Sequence, residues 1–484
     1  MLLSQLIKGE NAALYGKDVE IDEIYSHSKK KVKNGLFFCL NGRRLKGDDF
    51  VEEAEKFGAA AIVSEAPVKT SLPLVVVPNV RAAYSAFAAN FYKNPEKELK
   101  ITGVVGTNGK TSVTYVLRAI LTKAGKKVGV IGTEGSKLGD NDYGGNLTTP
   151  DPEDLFRVLR EMADDGATHV AMEVSAHAIY YEKVCPITFE TLVFTNCTED
   201  HLDFFSDLRE YSAVKKSIFL TGKSKNYVIN TDDETGLEIA NALYGRGAVG
   251  VYTYGIYKPS DVFAAMIREE KTGTKFVVNY FDELLDVDTK LLGVFNVYNQ
   301  LAAITCAKLL GAESDDVVSA LSSIKPVAGR MEFVSSFNGA DIFVDYAHTP
   351  DGLEKSLIFL RKVTSGNLVL VFGCGGDRDA KKRPLMGKTA GDIADFVVLT
   401  SDNPRYEDPL AIIRETETGL REATLDYITI VDRRAAIEYA VKELKAGDAL
   451  LIAGKGAETY QEIMGVKHDF DDKKVVSEII DNNA

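Results

Sequence analysis

The chain contains no apolar stretch of membrane-spanning length, and Met1–Glu10 lacks the charged start, apolar core and cleavage site of a signal peptide. Positive charge is short: 57 Lys and Arg stand against 71 Asp and Glu, a net −14, which argues against a general nucleic-acid binder. The five cysteines (Cys39, Cys185, Cys197, Cys306, Cys374) are odd in number, scattered and without CxxC spacing. A disulfide framework or a zinc site is therefore not expected, whereas reduced thiols are. Cys374 has no base nearby in sequence and reads as a small filler of a glycine-rich turn. There is no internal repeat and no low-complexity segment. These absences leave a cytoplasmic globular protein as the expectation. At 484 residues, 45% apolar and with 40 glycines, the chain is too long for one ordinary core. Two to four α/β domains are expected.

Patterning divides the chain in three. Residues 1–97 alternate strand-like runs (35–40, 59–63, 74–77) with helical ones (50–57, 80–91), and end in the polar turn Asn94-Pro95-Glu96-Lys97. Residues 98–327 alternate strands (101–105, 127–131, 169–173, 191–195, 226–229) with helices, the pattern of a mainly parallel sheet. Around 251–288 the pattern becomes hairpin-like, with a turn at 271–274, and 296–310 and 316–324 read as helices. Residues 328–484 form a third α/β unit, with strands at 342–345, 368–372, 396–399 and 449–452.

The strongest chemical signal is Gly103-Val-Val-Gly-Thr-Asn-Gly-Lys-Thr-Ser112, between an apolar strand and a helix carrying Val116, Leu117, Ile120 and Leu121 on one face. Such a turn aims backbone N–H groups at one point, reinforced by the helix N-terminus, and so cradles phosphate. Gly106, Thr107, Asn108, Gly109, Lys110, Thr111 and Ser112 are its candidate contacts: Lys110 for the β/γ-phosphates, Thr111 for Mg2+. Val104 stands where the first glycine of G-x-x-x-x-G-K-[ST] belongs.

Two further strand ends carry polar clusters, where ligands sit in open α/β sheets. Met172-Glu-Val-Ser-Ala-His177 offers Glu173, and Phe194-Thr-Asn-Cys-Thr-Glu-Asp-His-Leu-Asp203 offers His201. Both suit Mg2+ beside a γ-phosphate. Taken singly, Glu173 also reads as a helix cap and His201 as a solvated loop residue.

Gly-Thr-Asn-Gly-Lys-Thr, then Glu-Val-Ser-Ala-His-Ala, then Thr-Asn-x-x-x-Asp-His-Leu-Asp resemble, in that order, the Mur ligases of peptidoglycan synthesis. The resemblance extends over most of the chain. It implies a uridine-binding N-terminal α/β domain, a central ATPase domain and a Rossmann-like C-terminal α/β domain. It also implies ATP-driven amide ligation through an acyl phosphate, with ATP and two Mg2+ ions.

Within that likeness, Lys110, Lys215, His201 and Glu173 carry the catalytic roles. Lys215, after Tyr211, matches the family's carbamylated lysine; as N6-carboxylysine it would be a metal ligand with Thr111, Glu173 and His201. Gly293-Val-Phe-Asn-Val-Tyr-Asn299 resembles the adenine-contacting turn, with Phe295 where histidine is usual. Asn296 and Asn299 would meet adenine, and Asn296 reads equally as a helix N-cap. Arg330 and Asp345 fall to ATP. Arg330 suits phosphate because a planar guanidinium meets its oxygens in pairs. Either residue could instead be structural, Arg330 as a surface ion pair and Asp345 as a turn cap. His348 is a weaker positioning candidate.

For the UDP-MurNAc dipeptide the resemblance offers His27 and Ser28, in a segment continuing to Asn41-Gly42-Arg43. It also offers Thr148, Thr149 and Ser175, with Tyr181 and Lys183 where relatives carry glutamine and arginine. Asp402-Asn403-Pro404-Arg405 resembles the selecting motif of members adding meso-diaminopimelate, whose distal carboxylate Arg405 can grip bidentately; lysine-adding members usually lack the arginine. Arg378, Asp402, Asn403, Gly454 and Glu458 complete that set, with Ala457 in place of a common histidine. The implied partners are UDP-MurNAc-L-Ala-D-Glu, ATP and meso-diaminopimelate, with no nucleic acid, and the default state is a monomer. The alternatives are a lysine-adding ligase, folylpolyglutamate synthase, which shares the ligase core, and a nucleotide switch that does not ligate.

Overall fold

The computed structural model describes residues 1–42, 45–145 and 147–483, so Arg43 lies outside the described residues. Its α/β architecture is built on three successive sheets and a separate hairpin. The first sheet orders its strands Ala13–Tyr15, Leu74–Val76, Ala59–Ser64, Gly35–Phe38 and Glu23–Tyr25, parallel except for the first.

The second sheet has a parallel centre: Val251–Gly255, Ser224–Asn230, Phe189–Phe194, Lys100–Val105, His169–Val174 and Val128–Gly132. Antiparallel additions extend both edges. Gly135–Leu138 and Asn141–Gly144 lie on one side; on the other, Val262–Glu270, still parallel to Val251–Gly255, pairs antiparallel with Gly273–Tyr280, which pairs antiparallel with Glu283–Thr289. The third sheet orders Glu332–Phe337, Ala340–Asp345, Ala449–Ala453, Leu368–Phe372, Phe396–Leu399 and Tyr427–Thr429, parallel except for the first.

The expected helical face is the one buried. Val116, Leu117, Ile120 and Leu121 of the helix Lys110–Lys123 pack with Val104, Val193, Leu301 and Ile304 on one side of the central sheet. On its other side, Phe156, Phe189 and Phe194 join one continuous core with Leu36, Phe38 and Phe87 of the first unit. A single core across that boundary fixes the N-terminal unit against the middle one.

Sequence spacing located most of the parallel strands to within a few residues because buried strands are short apolar runs between turns. It did not place the short parallel strands Glu23–Tyr25 and Tyr427–Thr429, and Val251–Gly255 pairs parallel with its neighbour rather than opening the hairpin-like region. It also missed the polar edge pairs 135–138 and 141–144, whose residues carry no such run. One further reading is corrected. Asn296 is not a helix N-cap: the helix Val294–Leu309 is capped at Gly293, and Asn296 N–H donates to Gly293 O at 3.0 Å, inside the first turn.

Candidate functional site

The strand Lys100–Val105 lies between Phe189–Phe194 and His169–Val174, so strand order reverses at its carboxyl end. A crevice opens at such a point, and the glycine-rich turn occupies it. Gly109 adopts φ +88°, and a Cβ there would lie 2.3 Å from Asn299 Oδ1; a Cβ on Gly106 would lie 1.8 Å from Thr195 Oγ1. Both positions therefore require glycine, whereas Val104 lies in the buried stretch of the strand before the turn. The Thr-Asn motif of the neighbouring strand braces the loop. Asn108 N–H donates to Asn196 Oδ1 at 2.9 Å, and Thr195 Oγ1 donates to Asn108 O at 2.7 Å.

Lys110 Nζ curls over the loop, donating to Gly106 O (3.0 Å) and Thr107 O (2.8 Å). Burial lowers its pKa. Thr111 Oγ1 donates to Glu173 Oε1 at 2.9 Å, and Thr133 holds both Glu173 oxygens through N–H (3.0 Å) and Oγ1 (3.2 Å). Glu173 is not a helix cap: the following helix Ala176–Tyr180 is capped by Ser175, whose Oγ accepts from Ala178 N–H at 3.1 Å. A hydroxyl beside a fixed carboxylate is an oxygen-donor pair suited to Mg2+, which takes its remaining ligands from phosphate and water. No cluster of three or more His, Cys, Asp or Glu able to cage a metal occurs among the described residues.

His201, at φ +57°, places Nε2 3.5 Å from Asp200 Oδ2, and His348 Nε2 lies 3.8 Å from the same oxygen. Burial drives both imidazoles down to about 4, so both are neutral at pH 7 and suited to positioning or ligation. Burial pushes Asp200 up, but Lys382 and the two histidines outweigh it and hold the carboxyl well below the usual range.

Lys215 is fully buried on the helix Leu208–Phe219. Its Nζ donates to Thr107 Oγ1 at 2.6 Å and sits 3.9 Å from the centre of the Tyr211 ring. Burial lowers its pKa to about 7.

The third unit reaches into this crevice. Arg330 Nη2 donates to Thr111 Oγ1 at 3.2 Å, and its guanidinium lies 4.2 Å from the Tyr346 ring centre. Asn108 Nδ2 donates to Asp351 Oδ2 at 2.9 Å and Lys382 Nζ to Asp200 Oδ1 at 3.2 Å. Asp345 accepts N–H bonds from Met331 and from Ala347 (2.7 Å), so it caps its own turn while also lining a cavity; burial raises it to about 6.

Two cavities flank this contact. One of about 510 Å³ is lined by Asn296, Asn299, Asp345 and Lys355. The other, about 640 Å³, runs from Thr107–Ser112 and Glu173 to Arg378, Asp402, Asn403, Arg405, Gly454 and Glu458. Asn108, Gly109, Ser112, Arg330, Tyr346 and His348 border both.

At the far end, Asn403 Nδ2 donates to Glu458 Oε2 at 2.8 Å. Lys455, fully buried, donates to Asn403 Oδ1 (3.2 Å), Glu458 Oε2 (3.1 Å) and Tyr460 O (2.5 Å). Arg405 Nη1 donates to Gly376 O at 2.7 Å. Gly454 adopts φ +110°, and a Cβ there would come within 2.7 Å of Asp402 Oδ2.

The candidates for the UDP-linked substrate are less gathered. Thr148 lines the larger cavity. Thr149 is buried behind it, its Oγ1 donating to Glu173 O (2.9 Å) and accepting from Ser175 N–H (3.0 Å). His27, Ser28, Tyr181 and Lys183 line neither cavity. Ser28 Oγ donates to Glu53 Oε2 at 2.6 Å, Lys183 Nζ meets Asp151 Oδ1 at 2.8 Å, and Tyr181 lies under Arg81, whose guanidinium is 4.8 Å from its ring centre.

Sequence reading did not single out Lys382, Asp351, Tyr346 or Lys455. Lys455 alone carried a signal, standing between two glycines after an apolar strand; the others matter only because the sheets face one another.

Residues 104–307 match the model of the Mur ligase middle domain, and residues 329–456 that of the Mur ligase glutamate ligase domain. The chain is 41% identical to the UDP-N-acetylmuramoyl-L-alanyl-D-glutamate--2,6-diaminopimelate ligase of Geobacillus thermodenitrificans (strain NG80-2), over 95% of each chain. It is also 41% identical to the enzyme of that name in Caldanaerobacter subterraneus subsp. tengcongensis, over 99% of each. A solved structure of a UDP-N-acetylmuramoyl-L-alanyl-D-glutamate--2,6-diaminopimelate ligase matches with a TM-score of 0.67 at 32% identity, covering 96% of this chain and 97% of that one.

Proposed function

Because the chain belongs to the Mur ligase family, we propose that it is the ATP-dependent ligase joining meso-2,6-diaminopimelate to UDP-MurNAc-L-Ala-D-Glu, a step of peptidoglycan precursor synthesis. The observation that carries this reading is that one cavity holds both the phosphate loop with Lys110 and Glu173 and the Asp402–Arg405 loop with Glu458. A nucleotide switch needs no carboxylate-gripping end in its phosphate cavity. An amide ligase must bring an acyl phosphate and an amine together in one space.

In the proposed reaction the D-glutamate carboxylate oxygen attacks the γ-phosphorus and ADP leaves. The amine of the incoming amino acid, having lost a proton, then attacks the acyl carbon; the C–O bond to phosphate breaks and inorganic phosphate departs. Two anions must meet in the first step, so the chain's task is to neutralise and align them. Lys110, already at the loop, swings from its carbonyl partners to the β/γ-oxygens, and Arg330 adds a planar cation from the facing unit. Thr111 and Glu173 would hold Mg2+, with His201 and a carbamylated Lys215 nearby; a bound divalent ion screens phosphate charge. The depressed pKa of Lys215 supports carbamylation, since only a neutral amine captures CO2.

Asn296 and Asn299 are assigned to adenine in the smaller cavity, with Asp345 toward the ribose and phosphates. Arg405 and Arg378 receive the distal carboxylate and Glu458 the distal ammonium. Thr148, Thr149 and Ser175 are assigned to the muramoyl dipeptide, and His27, Ser28, Tyr181 and Lys183 to its uridine diphosphate side. The domain division 1–97, 98–327 and 328–484, and a monomeric cytoplasmic working state, belong to the same proposal. No helix among the described residues is long and apolar enough to cross a membrane.

The test is ADP release with substrates omitted one at a time. The reading expects turnover only when UDP-MurNAc-L-Ala-D-Glu and the diamino acid are both present. Full turnover without either would refute a ligase.

A further inference from the structure

The strands Tyr460–Ile463 and Val466–Asp469 pair with one another as a hairpin outside the third sheet. Yet the first strand and turn of this hairpin are stitched to the Asp402–Arg405 loop. Gln461 Nε2 donates to Asp402 O at 2.6 Å, and Glu462 N–H donates to Asn403 Oδ1 at 2.9 Å. Arg405 N–H donates to Glu462 O at 3.0 Å, and Met464 N–H donates to Arg405 O at 2.7 Å, making an isolated parallel bridge between Arg405 and Ile463. Glu462 Oε2 also lies 3.5 Å from Arg405 Nε.

These contacts solve a local problem. Arg405 sits at φ +51°, left-handed backbone that a residue with a Cβ disfavours. Its N–H and C=O are both bonded to the hairpin, which holds that conformation. On the side chain, Nε faces Glu462 and Nη1 bonds Gly376 O, so the planar fork is fixed by the hairpin on one side and the 373–376 turn on the other. A bidentate carboxylate grip depends on fork orientation, and preorganisation lowers the cost of binding.

We propose that the Tyr460–Asp469 hairpin is the positioning element for the distal end of the diamino acid, with Gln461 as its positioning side chain. Gln461 fixes the Asp402 carbonyl, and through it the start of the selecting loop, while the hairpin backbone fixes Arg405. The proposal deepens the reading above and rests on Arg405 receiving a carboxylate.

The experiment compares the wild-type enzyme with Gln461→Ala and Gln461→Glu, the second keeping size but losing the donor. KM is measured separately for meso-diaminopimelate, ATP and UDP-MurNAc-L-Ala-D-Glu. A parallel assay replaces the amino acid with hydroxylamine, a small amine that captures the acyl phosphate without using the Arg405 pocket. Both variants are expected to raise KM for diaminopimelate about tenfold or more, in line with loss of a positioning hydrogen bond. The other two KM values, kcat at saturation and hydroxamate formation should stay within about twofold of wild type. Unchanged KM for diaminopimelate in both variants overturns the proposal, as does a parallel rise for all three substrates or a fall in hydroxamate formation. If wild type ligates no diaminopimelate yet forms hydroxamate, the Arg405 reading falls and this inference with it.

Discussion

Arg330 Nη2 donates a hydrogen bond of 3.2 Å to Thr111 Oγ1 across 219 positions of sequence. This contact joins the leading turn of the third sheet to the hydroxyl at the mouth of the phosphate loop. It sets the Arg330 cation directly beside that hydroxyl. Arg330→Ala is expected to lower kcat for ADP release by about 10²-fold, the scale of one lost transition-state donor. Arg330→Lys should recover little, because an ammonium can neither pair oxygens as a fork nor stack on Tyr346. Full activity in the lysine variant would show that charge alone suffices.

Among the described residues Lys110 donates hydrogen bonds only to carbonyls of its own loop, and none to another element. Lys110→Ala should therefore keep far-UV circular dichroism and Tm close to wild type while kcat falls by about 10²–10³-fold. Substantial turnover by this variant would remove the lysine from the phosphate assignment.

Lys215 donates at 2.6 Å to Thr107, the third residue before Lys110, in a fully buried position. If its carbamate is the working form, Lys215→Ala loses activity and regains part of it with millimolar short carboxylates, which can enter the cavity left behind. Activity without any added acid would contradict the carbamate.

His169 provides a stability test remote from the reaction. It is buried with Nε2 unpartnered, and burial lowers its pKa from 6.5 to about 4. The unfolded chain takes up this proton near pH 6.5 and the folded chain only near pH 4. Stability is therefore full above 6.5 and falls through that window on acidification, by up to about 3 kcal/mol from this site. Urea unfolding of wild type against His169→Gln between pH 7 and 4 should show a shallower slope in the variant. Equal slopes would remove His169 from the account.

The fold was legible where burial writes a pattern. Leu368–Phe372 and Phe396–Leu399 match their apolar runs end to end, and the helix at Val80–Phe91 matches its period. The strand-to-helix turn at Gly106–Gly109 was legible because glycine must stand where a Cβ would collide with the neighbouring strand and helix. Asp200–Lys382, Asn108–Asp351 and the hairpin contacts to Arg405 were not legible, since each joins segments whose proximity only the packed sheets create. The cap mistakenly read at Asn296 has a similar cause. Asparagine three residues after Gly293 carries the same side chain whether it begins a helix or lies within its first turn, and Gly293 at φ +87° had already set the start.

The most direct test of the central claim is to offer the enzyme meso-diaminopimelate and L-lysine in turn, with ATP and UDP-MurNAc-L-Ala-D-Glu, and to compare kcat/KM and product mass. With Arg405 and Glu458 lining one end of the cavity, the account predicts a diaminopimelate-containing product and a preference of about 10²-fold or more over lysine, which brings no distal carboxylate to the fork. A preference for lysine, or equal use of both, would contradict it.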